Sequence, residues 1–190
     1  MFTDAAAHTM LSALAITQAG LHSAYPGIDG SANELSGGSY TRKSVTLGAA
    51  AARKRQLSAS VTFDVPAGAS VAWLSWRLAD GTCVAVSPLG SAASKPVMTD
   101  PATDTITCEA HGFSNGQTVV FSGTMPAGIQ AGVTYHVRDV TADTFKVAAT
   151  AGGAVVDITA DGAARVSRII PEAYNDAGTY ELTSATLALE

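Results

Sequence analysis

The chain has 190 residues, 47% hydrophobic and only 14% charged, enough apolar content for one large core or two small ones. Its formal net charge of -5 argues against a broad basic face that neutralises nucleic-acid phosphates. The sequence has no run of eighteen apolar residues, and Asp4 and His8 fall where a signal peptide would be apolar or basic, so neither a membrane span nor a secretory leader is expected.

From Asp4 to Gln18, Ala7, Met10, Leu11, Leu14 and Ala15 recur at intervals of three and four, which predicts a short amphipathic helix. Thr3 is placed to cap it, Asp4 favours its first turn and Gly20 supplies a stop. The stripe must face either the domain behind it or a neighbouring subunit, which makes Leu11 and Leu14 candidate contact residues.

The stretch LHSAYPGIDGSANELSGGSYTRKSVTL, residues 21–47, then mixes proline, glycines, small polar residues and an acidic patch before a basic strand. A loop this long in a compact domain needs a reason, and attachment to another protein is one; Tyr25, Asn33, Glu34 and Tyr40 are its candidate contact residues. Arg42, Lys43, Arg53, Lys54 and Arg55 place five of the eleven basic residues close together. Arg53, Lys54 and Arg55 could meet an acidic partner, or simply guard a strand edge.

Beyond this the texture is β. Ser60–Val65 alternates with Val61, Phe63 and Val65 on one face, and Pro66-Ala67-Gly68 turns the chain. VAWLSWRLADGTCVAVSPL has strand character on both sides of Asp80-Gly81, a hairpin signal. Trp73 and Trp76 fall on opposite strand faces, one expected in the core and the other at an edge or contact surface. Residues 90–98, GSAASKPVM, read as a linker. Turn signals every eight to twelve residues from Thr103 to Ser167 then predict a small inserted β-barrel, and PEAYNDAGTYELTSATLALE can return to the first sheet. The expected organisation is mainly β: a discontinuous β-sandwich anchoring domain (1–95 and 167–190) with a short N-terminal helix, interrupted by a small β-barrel-like module (96–166).

Chemistry-bearing patterns are sparse. His8, His22, His111 and His136 show no short metal-ligand spacing, no G-x-S-x-G elbow occurs, and SGGS at 36–39 lacks the lysine of a phosphate cradle. Two carboxylates could still meet in space, which sequence does not decide. Cys83 and Cys108 read as small reduced packing residues. No catalytic residue, cofactor or metal site is assigned.

Two segments carry a resemblance. Leu21, His22, Pro26, Gly27, Gly30, Ala32 to Tyr40, Arg42, Val45 and Thr46 resemble a pattern of small structural proteins of tailed bacteriophages, described as tail-fibre-like. Gly178, Thr179, Tyr180, Leu182, Thr183, Ala185, Leu187 and Leu189 match that family's closing strands. The middle segment, with Ala110-His111-Gly112-Phe113, Asn115-Gly116-Gln117, Gly132-Val133-Thr134-Tyr135 and Thr144-Phe145-Lys146-Val147, is similar to β repeats of phage tail proteins. Those repeats are distantly similar in fold to the first catalytic cysteine half-domain of ubiquitin-activating enzymes, which imports no activity. LGAAAARKRQ departs from the aromatic-rich strand of related sequences, which bears on the partner surface.

The resemblance implies a non-enzymatic structural protein of a bacteriophage virion, tail-fibre-like or a capsid-surface decoration or head-fibre subunit. Its partners would be other virion proteins and further copies of itself, with no nucleic acid and no membrane span. It would be located in the virion after synthesis in the bacterial cytoplasm. A receptor- or carbohydrate-binding module of the tail, contacting a host-surface glycan, is the alternative; Phe113, Phe121, Tyr135 and Phe145 are the aromatics available for it.

Overall fold

A computed structural model describes residues 3–90 and 94–189. In chain order they form helix α1 (Asp4–Ala13) and strands β1 (Ile16–His22), β2 (Lys43–Ser44), β3 (Lys54–Gln56), β4 (Val61–Val65), β5 (Ser70–Val71), β6 (Trp73–Leu78) and β7 (Cys83–Pro88). Next come β8 (Lys95–Pro96), β9 (Met98–Asp100), β10 (Thr105–Thr107), β11 (Thr118–Gly123), β12 (Tyr135–Arg138), β13 (Thr144–Ala148) and β14 (Ala164–Arg168). The chain closes with β15 (Glu172–Ala173), β16 (Gly178–Leu182) and β17 (Thr186–Ala188). The fold is mainly β and sandwich-like, built from several antiparallel sheets. Two compact units divide the chain: the first runs up to Ser87 and resumes at Pro171, and the second is Pro88–Ile170.

The helix is shorter than its apolar periodicity predicts. Thr3 accepts a hydrogen bond from the Ala6 amide at 3.2 Å, but the helix ends at Ala13. From Ile16 the chain is strand, because β-branched Ile16 and Thr17 fit a pleated surface and β1 pairs along its length with β6. Ala7 and Leu11, one turn apart, are the buried positions of the helix, whereas Met10 is exposed.

The first unit holds a sheet of order β2-β1-β6-β7 and three strand pairs, β15-β5, β16-β4 and β17-β3. The C-terminal strands thus return to the first unit, with Tyr180 opposite Phe63 and Leu187 opposite Arg55. Strand β6 carries the core. Trp73 and Trp76 are both buried, at 4% and 0% exposure, so neither tryptophan serves an edge or contact surface. A central strand covered on both faces explains it: residues 73 to 77 are all buried, whichever way they point.

The second unit is one sheet of order β8-β14-β11-β12-β13-β10-β9, and no closed barrel forms. Its two edge strands are neighbours in sequence, separated only by Val97. Pro96 has no N–H, so pairing on this segment is divided: Lys95 and Pro96 lie against β14, and Met98–Asp100 lies against β10. The latter half of the expected linker is therefore part of the sheet, and Val97 is buried; Ser91 to Ala93 lie outside the described residues. Alternation along β12 and β13 sends Tyr135, Val137, Phe145 and Val147 into one core with Phe121, Ile106 and Val166.

Phe145 has no exposed surface and sits edge-to-face against Phe113 at 5.3 Å and against His111 at 5.2 Å. Phe145→Ala should cost about 3–5 kcal/mol. Hydrogen exchange should show lost protection of the β12 and β13 amides while β6 amides in the first unit stay protected.

Candidate functional site

The 21–47 segment is anchored by side chains converging on β1 and β6. The register places Gly20 opposite Ser75 and His22 opposite Trp73, and a single bridge pairs His22 with Glu34. Arg42 Nε and Nη2 donate to Glu34 Oε1 and Oε2, both at 2.7 Å, in a bidentate fork. Arg77, 4% exposed, lies 3.5 Å from Glu34 Oε2 and donates to the carbonyls of Gly30 and Gly81 and to Ser75 Oγ. Tyr40 OH accepts from the Leu21 amide at 2.8 Å and lies 3.4 Å from Glu34 Oε1.

Gly30 is the tight point of the loop. Its φ is +68°, and an added Cβ would fall 2.4 Å from Cys83 Sγ, so both conformation and space require glycine. Asn33 also adopts positive φ and donates to the Tyr25 carbonyl at 2.8 Å, while the Tyr25 ring stands edge-on to Trp73. The loop that reads as irregular is thus fixed at residue after residue.

His22 and Ser75 are wholly buried, with Nε2 and Oγ 2.9 Å apart. The spacing suits a nucleophile and its base, but the surroundings serve another purpose. His22 Nδ1 lies 2.8 Å from the Ala32 carbonyl, which only accepts, so Nδ1 carries the proton and Nε2 accepts from Ser75. Arg77 Nε donates to the same hydroxyl at 3.0 Å, and neither His22 nor Ser75 has exposed surface. The pair ties the loop to the sheet. No short-range pattern signals it, since 53 residues separate the partners.

Burial pushes the His22 pKa down, aided by the charges of Arg77 and Arg42 and opposed by the Ala32 bond and Glu34. Burial raises that of Glu34, but the Arg42 hydrogen bonds and the Arg42 and Arg77 charges outweigh it and hold the carboxyl below its usual range. Burial pushes the Tyr40 hydroxyl up to about 12.

The basic cluster is largely consumed inside the first unit. Arg55 donates to the Leu11 and Leu14 carbonyls at 3.2 and 2.9 Å, satisfying the C-terminal end of α1, and to those of Leu47 and Gly48. The Arg53 amide donates to His8 Nε2 at 3.1 Å, and its guanidinium lies 3.4 Å from Asp4. Lys43 pairs with Asp64 at 3.0 Å, and Lys54 is exposed. Of the expected contact residues, Leu11 is wholly buried, so its side chain serves the unit's own core. Leu14, Tyr25, Glu34, Tyr40, Arg53 and Arg55 are half-buried, and Asn33 and Lys54 are exposed. They fall into two groups, one around α1 and one around Glu34.

In the second unit, Phe121, Tyr135 and Phe145 are buried and Phe113 is half-buried, so these rings are core and do not offer a stacking platform. An open cleft of about 360 Å³ lies along β12, lined by Asn115, His136, Arg138, Asp139 and the backbone of Gly152 among others. Arg138 pairs with Asp139 at 3.3 Å and donates to the Gly153 carbonyl. Both cysteines are free, and burial pushes the Cys108 thiol pKa up, which suits packing and not reactivity. Among the described residues no cluster of three metal-ligating side chains occurs and no helix is long and apolar enough to cross a membrane.

No family model matches the chain, and no curated protein matches it. Among solved structures it is similar to a phage phi92 endosialidase at 15% identity and a TM-score of 0.26, over 73% of this chain and 20% of that one. The chain therefore spans a fifth of that structure's length, and a likeness this slight carries no argument about activity.

The network predicts a pH profile for the first unit, which holds both tryptophans of the chain. His22 binds its proton more readily when unfolded, so its stability contribution is full above its unfolded pKa, about 6.5, and falls as pH drops below that. Glu34 adds a second loss at lower pH, and Tyr40 a loss as pH rises from about 10 through its folded value. Tryptophan-monitored melting should show a plateau between the His22 and Tyr40 limbs, and His22→Asn should remove the upper acid limb. Glu34→Ala should destabilise the unit by about 3 kcal/mol, because it leaves Arg77 buried without its counter-charge.

Proposed function

We propose that the chain is a non-enzymatic structural subunit of a bacteriophage particle, tail-fibre-like or on the capsid surface, anchored through its first unit to other virion proteins. The supporting observation is the convergence of Leu21, His22, Gly30, Glu34, Tyr40 and Arg42 on one interior network. These residues carry the resemblance to phage structural proteins. Residues used to hold a loop in shape encode a surface, not a reaction, so the resemblance is one of framework. The role is mechanical: a rigid loop and the unit around it present a fixed surface to a neighbour, and the second unit is carried as an insertion.

The test is mass spectrometry of purified particles together with the position of the protein in their density. Presence at a fixed ratio to a known structural protein is the expected outcome. Absence from particles, or cleavage of a polysaccharide by the purified chain, would overturn the reading.

A glycan-binding role has one observation in its favour, the open cleft along β12 and the polar side chains at it. Asn115, His136, Arg138 and Asp139 together offer donors and acceptors of the kind that hold sugar hydroxyls. On that reading His136→Ala and Arg138→Ala each abolish binding to host polysaccharide in calorimetry. Equal binding by wild type and both variants, or none by wild type, excludes it.

A further inference from the structure

The sheet edges of the chain are treated unequally. In the second unit the edges are β8, two residues with Lys95 and Pro96, and β9, three residues ending at Asp100. Short length, charge and proline are the usual protections against pairing with another chain. In the first unit the β2 edge is two residues long and carries Lys43. The two-stranded pairs consist of strands that are either charged, as at Lys54, Asp64, Glu172 and Glu181, or no longer than three residues.

Strand β7 is neither short nor charged, and its one proline, Pro88, stands at its last position. It is a six-residue edge, Cys83-Val84-Ala85-Val86-Ser87-Pro88, with no charged residue and every position half-exposed. Among the described residues it is hydrogen-bonded into the sheet only through β6. Its β-branched content suits further pairing, and its outer backbone groups lack a ladder partner.

From this we infer that β7 pairs antiparallel with β7 of a second copy of the chain, joining two four-stranded sheets across a two-fold axis beside Ala85. Val84 then stands opposite Val86 of the partner subunit, and no like charges meet because the strand has none. The joined sheet runs β2-β1-β6-β7 and then the same strands in reverse, so the long uncharged edge becomes internal. The two edges that remain are β2, already short and lysine-bearing. A strand from an unrelated protein would cover β7 but offers no such closure. The inference rests on the sheet edges alone and holds whether or not the chain is a particle protein.

The full chain is tested by light scattering after size exclusion from about 5 to about 500 μM, spanning the affinity range of a small strand-only interface. The monomer should convert to a dimer, and more completely at high salt, because each copy carries a net charge of -5. Hydrogen exchange on the wild-type protein should show β7 amides becoming protected at high concentration. Val86→Lys should remain monomeric with unchanged tryptophan emission. A monomer throughout the range, concentration-dependent protection elsewhere and not at β7, or a Val86→Lys dimer as tight as wild type would each overturn the inference. The exchange experiment decides the matter even where the variant fails to fold.

Discussion

The first unit depends on the Glu34 carboxylate. It takes both arms of Arg42, faces Arg77, and stands beside the Tyr40 hydroxyl. Through Arg77 it is linked to the Gly30 carbonyl in the loop, the Gly81 carbonyl in the β6–β7 hairpin and Ser75 within the sheet. A buried guanidinium is costly unless its charge is matched and its donors are used; here Glu34 matches the charge, while Ser75 Oγ and the Gly30 and Gly81 carbonyls take the donors. Such a network adds little net stability compared with apolar packing of the same volume. Its contribution is specificity: a loop rich in glycine has many compact alternatives, and few of them would satisfy Arg77.

Much of the fold is legible in the sequence because strand periodicity is local. Val61, Phe63 and Val65 announce β4, and Asp80-Gly81 announces the hairpin, where Gly81 takes φ +88°. Three features depend on partners far along the chain and were not legible. The helix stops at Ala13 because β6 recruits Ile16–His22 as a strand, although the apolar spacing runs on through Ala15. Both tryptophans are buried because β6 is covered on both faces, which alternation within one strand does not reveal. The inserted sheet stays open because pairing is divided around Pro96 and Val97, a division set by β10 and β14.

The candidate site shows the same limit more sharply. Residue types chosen as contact candidates, such as Tyr40, Glu34 and the arginines, are as suited to interior satisfaction as to a partner. Sequence cannot separate the two uses. Arg55 illustrates this: in a basic run it reads as a surface charge, yet its guanidinium takes four backbone carbonyls at the end of α1 and in the 47–48 segment. What could have signalled its role is the helix itself, which has no basic residue in its last turn to meet its carbonyls.

The two units reach a defined interior by different means. The second relies on interlocked rings and β-branched side chains, with His111 accepting from the Phe113 amide at 2.8 Å and leaving Nε2 unpartnered among Phe113 and Phe145. The first adds to an apolar core around Phe63, Leu74 and Trp76 a set of charges and hydroxyls held between a loop and a sheet. A hydroxyl next to an imidazole is therefore not by itself a sign of catalysis. Ser75 and His22 are close for the same reason that Glu34 and Arg77 are close: each uses up hydrogen-bonding capacity that the 21–47 loop would otherwise leave unmatched. Those groups are engaged inside the first unit, whereas Lys54 and loop positions such as Ile28 and Ser36 stay exposed.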